Sequence, residues 1–330
     1  MAVEVDAVTA WFEQHVPGVR PPLEFEQIAG GRSNLTFRVT DADGRRWALR
    51  RPPLHSVLAS AHDVAREHRI ISALAGTRVP VPTAVALCAD ESVTGAPFYV
   101  MDFVDGLVLR DVEAVSEHLD EEGRGRLARQ LVAALVEIHA VDPDAVGLGD
   151  LGRRAGYIER QLRRWHGQWE QSRTRDLPLV DDVHARLSER VPDQGPAAIV
   201  HGDYRIDNLI VSEDADIRAV LDWELCTLGD PLADVGLLLV YWSRPYGERP
   251  TSLPGFPTPE EVATLYGELS RRDLSQLDFY VAFGAWKLAV IIEGVYAREV
   301  AGAYGQSAAD LDELHVAVAR LAQRADEALR

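Results

Sequence analysis

Two short apolar runs, Leu209 to Ser212 and Ile217 to Leu221, flank a polar tip of Glu213 to Asp216, and this arrangement constrains the chain more than any other stretch. Runs of β-prone residues joined by a turn-forming tip predict a hairpin. A hairpin folds back on itself, which brings Asn208, just before the first run, near Asp222, just after the second. His201 and Asp203 stand a few residues upstream, after the apolar lead-in Ala197 to Val200. An amide oxygen and two carboxylates gathered in this way suit a hard cation such as Mg²⁺ that also takes phosphate oxygens. The competing reading is a surface turn whose Asp and Asn cap backbone groups, the commoner duty of these residues.

The 330 residues, 47% of them apolar and 26% charged, can bury a large core and suggest two domains or lobes. No stretch reaches about 18 uninterrupted apolar residues, so no membrane-spanning helix is expected. The most apolar segment, Phe279 to Ala297, is broken by Lys287 and Glu293 and reads as a core helix. Glu4 and Asp6 stand where a secretory leader would carry basic residues. Cys88 and Cys226 are too few and too far apart for a disulfide frame or a zinc site, which points to a reducing, cytoplasmic setting. A net charge of −18 argues against a nucleic-acid partner, since phosphate-backbone binding rests on Lys and Arg. Lys287 is the only lysine, so any other cationic role falls to arginine.

In chain order, residues 5 to 15 read as a short helix. Leu23 to Ile28, Leu35 to Thr40 and Arg45 to Arg50 then form an antiparallel meander with Gly-containing turns. Ala59 to Leu74 is helical, Val79-Pro80-Val81-Pro82 stops it, and Thr83 to Leu87 and Pro97 to Val104 are the remaining strands of this half. After Gly106 the pattern turns helical. Arg124 to Ala140 and Tyr157 to Arg173 have apolar residues at helical spacing, and so do Leu232 to Trp242, Pro259 to Ser270, Leu274 to Tyr296 and Ala308 to Leu329. Asp230-Pro231 is a helix-start signal. Asp234, just inside that helix, either braces the catalytic loop or favours the helix N-terminus. His139 reads as a packed or capping histidine. Tyr157 to Arg173 carries two tryptophans with Arg160, Arg163 and Arg164, and is either a substrate-binding element or an amphipathic helix with solvated arginines.

His-x-Asp-x-x-x-x-Asn, an apolar hairpin and then Asp resembles the kinase catalytic loop with its metal-binding Asp. The His201-Gly202-Asp203 opening, and Asp222-Trp223-Glu224 where protein kinases carry Asp-Phe-Gly, look most like the aminoglycoside phosphotransferase and choline kinase branch of the protein-kinase-like superfamily. HGDYRIDNL with VLDWELCTLGDPLADVG is especially similar to the phosphotransferase domain associated with acyl-CoA dehydrogenases. The resemblance implies an α+β, bilobal protein-kinase-like fold. An N-lobe of residues 1–104 would bind nucleotide on an antiparallel five-stranded sheet with a helix. A mainly helical C-lobe of residues 105–330 would carry the catalytic β-hairpin and the substrate site.

It also implies roles, residue by residue. Asp203 orients the substrate hydroxyl and takes its proton, and Arg205 neutralises the γ-phosphate. Asn208 and Asp222 hold Mg²⁺ between the phosphates of ATP or GTP. Arg50 in Trp47-Ala48-Leu49-Arg50 stands where kinases carry lysine, and it can grip phosphate through two donors. Arg51, next along, points to the opposite strand face. Glu67 falls where a helix glutamate aligns that cation, although pairing with Arg66 or Arg69 on a solvated helix face is the alternative. Gly30, Gly31, Ser33 and Asn34 form the turn over the phosphates, unless the glycines mark only a hairpin. Met101, Phe103 and Val104 line or approach the adenine pocket. His201 supports the loop by hydrogen bonding.

Only seven residues, 223 to 229, separate Asp222 from Asp230, too few for the long segment with which protein kinases bind peptide. The expected acceptor is therefore a small hydroxylated metabolite or antibiotic, with a hydroxyacyl-CoA compound as one candidate and no membrane partner. Two other classes stay in view. One is a nucleotide-binding pseudokinase, for which Arg50 is the supporting feature. The other is a metal hydrolase built on His201, Asp203 and Asp222.

Overall fold

The structure is a computed structural model that describes residues 5–28, 34–53, 63–301 and 311–330. Gly30, Gly31 and Ser33 of the expected phosphate turn lie outside the described residues. The elements begin with α1 (Val5–His15), β1 (Glu24–Ile28), β2 (Leu35–Thr40), β3 (Arg46–Arg51), α2 (Val64–Leu74), β4 (Ala84–Cys88) and β5 (Phe98–Asp102). Next come α3 (Val112–His118), α4 (Glu121–Ala140), α5 (Tyr157–Ser172), α6 (Pro178–Glu189), β6 (Ala198–Val200), β7 (Leu209–Val211) and β8 (Ile217–Val220). The last are β9 (Thr227–Gly229), α7 (Leu232–Trp242), α8 (Pro259–Ser270), α9 (Leu277–Val300) and α10 (Leu311–Ala328).

The chain divides into two compact units. The first is built from residues up to Leu107 together with Leu209–Ser212 and Ile217–Leu225. The second holds Val108–Asn208, Glu213–Asp216 and Cys226–Arg330. The sequence placed the whole hairpin in the second lobe. Its strands belong instead to the first unit, because Leu107 and Val211 exchange backbone hydrogen bonds at 2.7 and 2.9 Å and the Val220 N–H reaches the Pro80 carbonyl at 2.8 Å.

In the first unit five antiparallel strands run in the order β1-β2-β3-β5-β4. Period-2 alternation gives the sheet two unlike faces. Trp47 and Leu49 of β3, Phe98 and Val100 of β5 and Phe37 and Val39 of β2 form one apolar face, covered by Val8, Trp11 and Phe12 of α1. Burying side chains of this size contributes roughly 1.5–3 kcal/mol each. The other face carries Ala48 and Arg50 opposite Met101 and Tyr99. In β7 and β8, Leu209 pairs with Val220, so Asn208 and Asp222 flank the base of one hairpin along the chain.

The second unit is organised around α9, which packs on α7 and α10. It is long and apolar enough to cross a membrane, yet 83% of its most apolar window is buried, and it is the core helix the sequence predicts. A Cβ on Gly236 of α7 would lie 2.2 Å from the Tyr280 carbonyl oxygen, so only glycine lets α7 and α9 approach this closely. Asp120 caps α4 by accepting from the Gly123 N–H at 2.8 Å. Thr258 and Glu261 form a reciprocal capping box on α8. Residues 178–189 and the β6–β9 pairing were not anticipated, and α7 spans Leu232–Trp242 as expected, with Pro231 as its cap.

Candidate active site

In the first unit, the alternation of β3 sends Arg50 to the sheet face not covered by α1. Arg50 Nε lies 3.1 Å from Glu67 Oε2, and its Nη2 lies 2.5 Å from Asp222 Oδ1. Glu67 sits in the first turn of α2, whose N-cap Asp63 accepts from the Arg66 N–H at 2.9 Å. Its carboxylate also accepts from Asn34 Nδ2 at 2.8 Å and from the Tyr99 hydroxyl at 3.3 Å. Glu67 is only 2% exposed, and burial pushes its carboxyl up to about 7 against the pull of Arg50. Burial also works against the Arg50 charge, but Glu67, Tyr99 and Asp222 more than offset it and hold the guanidinium charged. Glu67 is therefore a buried partner of Arg50, and not a solvated helix glutamate.

Asp222 has a φ of +67°, a left-handed conformation that Asp visits more readily than most residues. Glu224, in the single 3₁₀ turn that follows, brings a further carboxylate to 3.9 Å from Arg50. Arg51 points to the other face as expected, fully buried, with Nη1 3.4 Å from the Thr94 carbonyl. Met101 is buried on β5 opposite Ala48. Phe103 and Val104 lie past the end of β5, where the Phe103 N–H reaches the Arg46 carbonyl at 3.3 Å and the Arg46 guanidinium covers the Phe103 ring.

In the second unit the loop after β6 holds Asp203. Tyr241 of α7 donates its hydroxyl to Asp203 Oδ1 at 2.9 Å, while Arg205 Nε and Asn208 Nδ2 each lie 3.2 Å from Oδ2. Burial and the Asp203 charge push the Tyr241 phenol well up, so it remains an O–H donor. Asn208 Nδ2 also donates to the Asp203 carbonyl at 2.8 Å, so its remaining heteroatom, Oδ1, is an oxygen ligand of the type Mg²⁺ takes. Arg205 in turn pairs with Asp207 at 2.7 Å and lies over the Tyr241 ring.

Asp234 braces this loop. Its carboxylate accepts from the His201 N–H at 2.6 Å and the Gly202 N–H at 2.8 Å. His139, 3.2 Å away and itself bonded to the Tyr266 hydroxyl, completes the site. Burial disfavours the Asp234 charge, but the bonds from His139 and the loop hold its carboxyl below the usual range. His201 is wholly buried and its Nδ1 meets the Asp203 N–H at 3.3 Å, a loop support as expected.

The first unit thus brings together Asn34, Arg50, Glu67 and Asp222, and the second brings together Asp203, Arg205 and Asn208. Sequence reasoning missed Tyr241 and did not assign Lys287, whose Nζ bonds the Gly202 carbonyl at 3.0 Å. A single lysine interrupting an apolar helix was the available signal for the latter. The tryptophans of α5 offer no aromatic surface to a substrate: Trp169 is fully buried and donates to Asp181 at 3.1 Å, and Trp165 is buried beside it. Only Arg163 and Arg164 of that helix are exposed among the three arginines singled out. Among the described residues there is no group of three or more His, Cys, Asp or Glu that could hold a metal ion.

Residues 24–253 match the model of the APH phosphotransferase enzyme family. The chain belongs to that family. It is 36% identical over 316 residues to mouse acyl-CoA dehydrogenase family member 10, covering 92% of this chain. The match spans only 29% of that relative's length. A crystal structure from Ralstonia eutropha, assigned to the aminoglycoside phosphotransferases, superposes with a TM-score of 0.86 at 33% identity and covers 99% of this chain and 98% of its own. The GDP and kanamycin complex of APH(2″)-IIIa shares the fold at a TM-score of 0.66 and 16% identity, covering 97% and 98% of the two chains. The expected α+β, kinase-like fold and the likeness to the domain carried by acyl-CoA dehydrogenase family members both hold.

Proposed function

We propose that this phosphotransferase-family chain is a small-molecule kinase that moves the γ-phosphoryl group of ATP or GTP to an alcohol. The observation that carries the reading is the Asp203 carboxylate, fixed by Tyr241, Arg205 and Asn208. A carboxylate held this way can orient an acceptor hydroxyl and receive its proton while the new P–O bond forms and the bond to the nucleotide's bridging oxygen breaks. Arg50, aligned by Glu67, steadies the α- and β-phosphates, and Arg205 neutralises the γ-phosphate. Asn208 Oδ1 and Asp222 are the residues suited to hold Mg²⁺, which when bound offsets charge on the phosphate oxygens. Asn34 would meet the phosphates, and Met101, Phe103 and Val104 the nucleotide base.

The relatives support the donor and acceptor classes. One structural neighbour was solved with GDP and kanamycin. Similarity to an acyl-CoA dehydrogenase family member favours a hydroxylated acyl-CoA over an antibiotic as acceptor. The short passage from Asp222 to α7, one 3₁₀ turn and the three-residue β9, suits a small acceptor better than a peptide. Both cysteines are buried and free, in keeping with a reducing, cytoplasmic setting.

The test is nucleotide consumption, with and without Mg²⁺, over hydroxyacyl-CoA compounds, sugars, amino alcohols, aminoglycosides and macrolides. Mg²⁺-dependent transfer to one class is expected. Nucleotide that binds tightly but is transferred to none would favour a pseudokinase and overturn the reading.

A further inference from the structure

Lys287, the chain's only lysine, is 5% exposed in the middle of α9. It lies beyond the 24–253 stretch that the family model matches, and no motif marks it. Its Nζ donates to the Gly202 carbonyl at 3.0 Å and lies 5.5 Å from the centre of the Trp165 ring. Gly202 has a φ of +88°, open to glycine without strain. The N–H of the same residue is held by Asp234 Oδ1 at 2.8 Å. The glycine before Asp203 is therefore gripped on both sides, by a carboxylate at its N–H and by an ammonium at its carbonyl. That carbonyl belongs to the peptide plane it shares with the Asp203 N–H, so its orientation sets the point from which the Asp203 side chain departs.

A buried ammonium is costly, and a hydrocarbon of similar volume packs at lower cost. Burial accordingly pulls the Lys287 amine below its ordinary range; Asp203 and Asp234 pull the other way, and Arg164 adds to the lowering. The rest of α9 around Lys287 is apolar and buried, so stability alone gives no reason for a charge there. We propose that Lys287 is a positioning residue that, with Asp234, clamps the Gly202 peptide and so aims Asp203 at the acceptor hydroxyl. The inference rests on the assignment of Asp203 above, but the clamp itself can be measured without turnover.

The experiment compares Lys287→Met, Lys287→Gln and Lys287→Arg with the parent chain by amide hydrogen exchange at Gly202 and Asp203, melting temperature, nucleotide Kd, kcat and KM. For Lys287→Met, exchange at the two amides rises about tenfold or more and kcat falls by a similar or larger factor, since misplacement on the ångström scale costs up to about a hundredfold. Melting temperature, nucleotide Kd and KM stay near parental values. Lys287→Arg, which retains a charged donor, recovers most of both losses, and Lys287→Gln, with a neutral donor, recovers part. Unchanged exchange together with unchanged kcat in Lys287→Met overturns the proposal, and so does a raised KM at constant kcat, which would make Lys287 a substrate contact. If Lys287→Met unfolds, the Gln and Arg variants decide by the same readings. A parent chain that transfers phosphate to no acceptor defeats the kinase reading, while the exchange result still decides the clamp.

Discussion

Arg50 Nε lies 3.1 Å from Glu67 Oε2, joining the third strand of the sheet to the helix behind it. The same guanidinium reaches Asp222 at 2.5 Å, so one arginine links a buried glutamate to the carboxylate assigned to the metal. Replacing Arg50 with Ala should weaken nucleotide binding at least tenfold, about 1.4 kcal/mol. Above about pH 7, where Glu67 would be left buried and ionised without its cation, the substitution should also destabilise the chain by about 3–5 kcal/mol. Calorimetric titration and denaturant melts check the two effects separately. An unaltered nucleotide affinity would move the phosphate-binding cation elsewhere.

Glu67 gives a pH signature. Its folded-state carboxyl is raised to about 7 from 4.5, so the folded chain holds a proton that the unfolded chain gives up. The stability linked to Glu67 is therefore full below pH 4.5 and is lost as pH rises through 7. Glu67→Gln removes this titration. Its stability relative to the parent should climb across that window by on the order of 1–3 kcal/mol and then level off. Urea melts at pH 4.5, 6 and 8 are the measurement, and a flat difference would mean Glu67 is ionised throughout.

Asp203→Ala should lower turnover by about 10²–10⁴-fold, the usual worth of a general base, and leave nucleotide affinity nearly intact. Steady-state kinetics with equilibrium nucleotide binding separates the two. Turnover close to parental would exclude Asp203 as the group facing the hydroxyl.

Asp222→Asn preserves a side chain that tolerates the left-handed backbone at this position, so folding should survive. The Mg²⁺ dependence of nucleotide binding should fall at least tenfold, about 1.4 kcal/mol. Binding measured over a Mg²⁺ series would show it, and an unchanged dependence would remove Asp222 from the metal site.

Asp234→Asn should cost about 2–5 kcal/mol, because an amide cannot accept from the His201 and Gly202 N–H groups and from His139 together. In the parent chain Asp234 titrates below its ordinary value, so its stabilisation is present above that value and disappears as pH falls through the folded one. In His139→Ala, which removes a bond that holds the Asp234 carboxyl down, acid unfolding followed by tryptophan fluorescence should begin at a higher pH.

The hairpin between Asn208 and Asp222 was legible because each rule involved is local: period-2 burial and turn chemistry. The Arg50 and Glu67 pairing was implied by the family resemblance, and strand alternation placed Arg51 on the other face. What the sequence left open or missed depends on partners distant along the chain. Of the two readings left open for α5, burial of Trp165 and Trp169 against α9 and Asp181 favours the amphipathic helix. The three-residue strands β6 and β9 have too little pattern to announce their pairing. Tyr241 and Lys287 sit 38 and 85 residues from the loop groups they touch, and no short-range pattern connects such residues.

The sequence by itself determined the strands of the five-stranded sheet and most of the helices, since these follow from periodicity and turn chemistry at short spacing. Tertiary structure alone decided that the hairpin strands join the first unit, that Asp234 and Lys287 grip opposite sides of Gly202, and that Tyr241 holds Asp203. The first depends on backbone bonds to Leu107 and Pro80, and the other two on which buried polar groups meet when α7 and α9 pack. A desolvated N–H, carbonyl or carboxylate must find its partner wherever the fold supplies one.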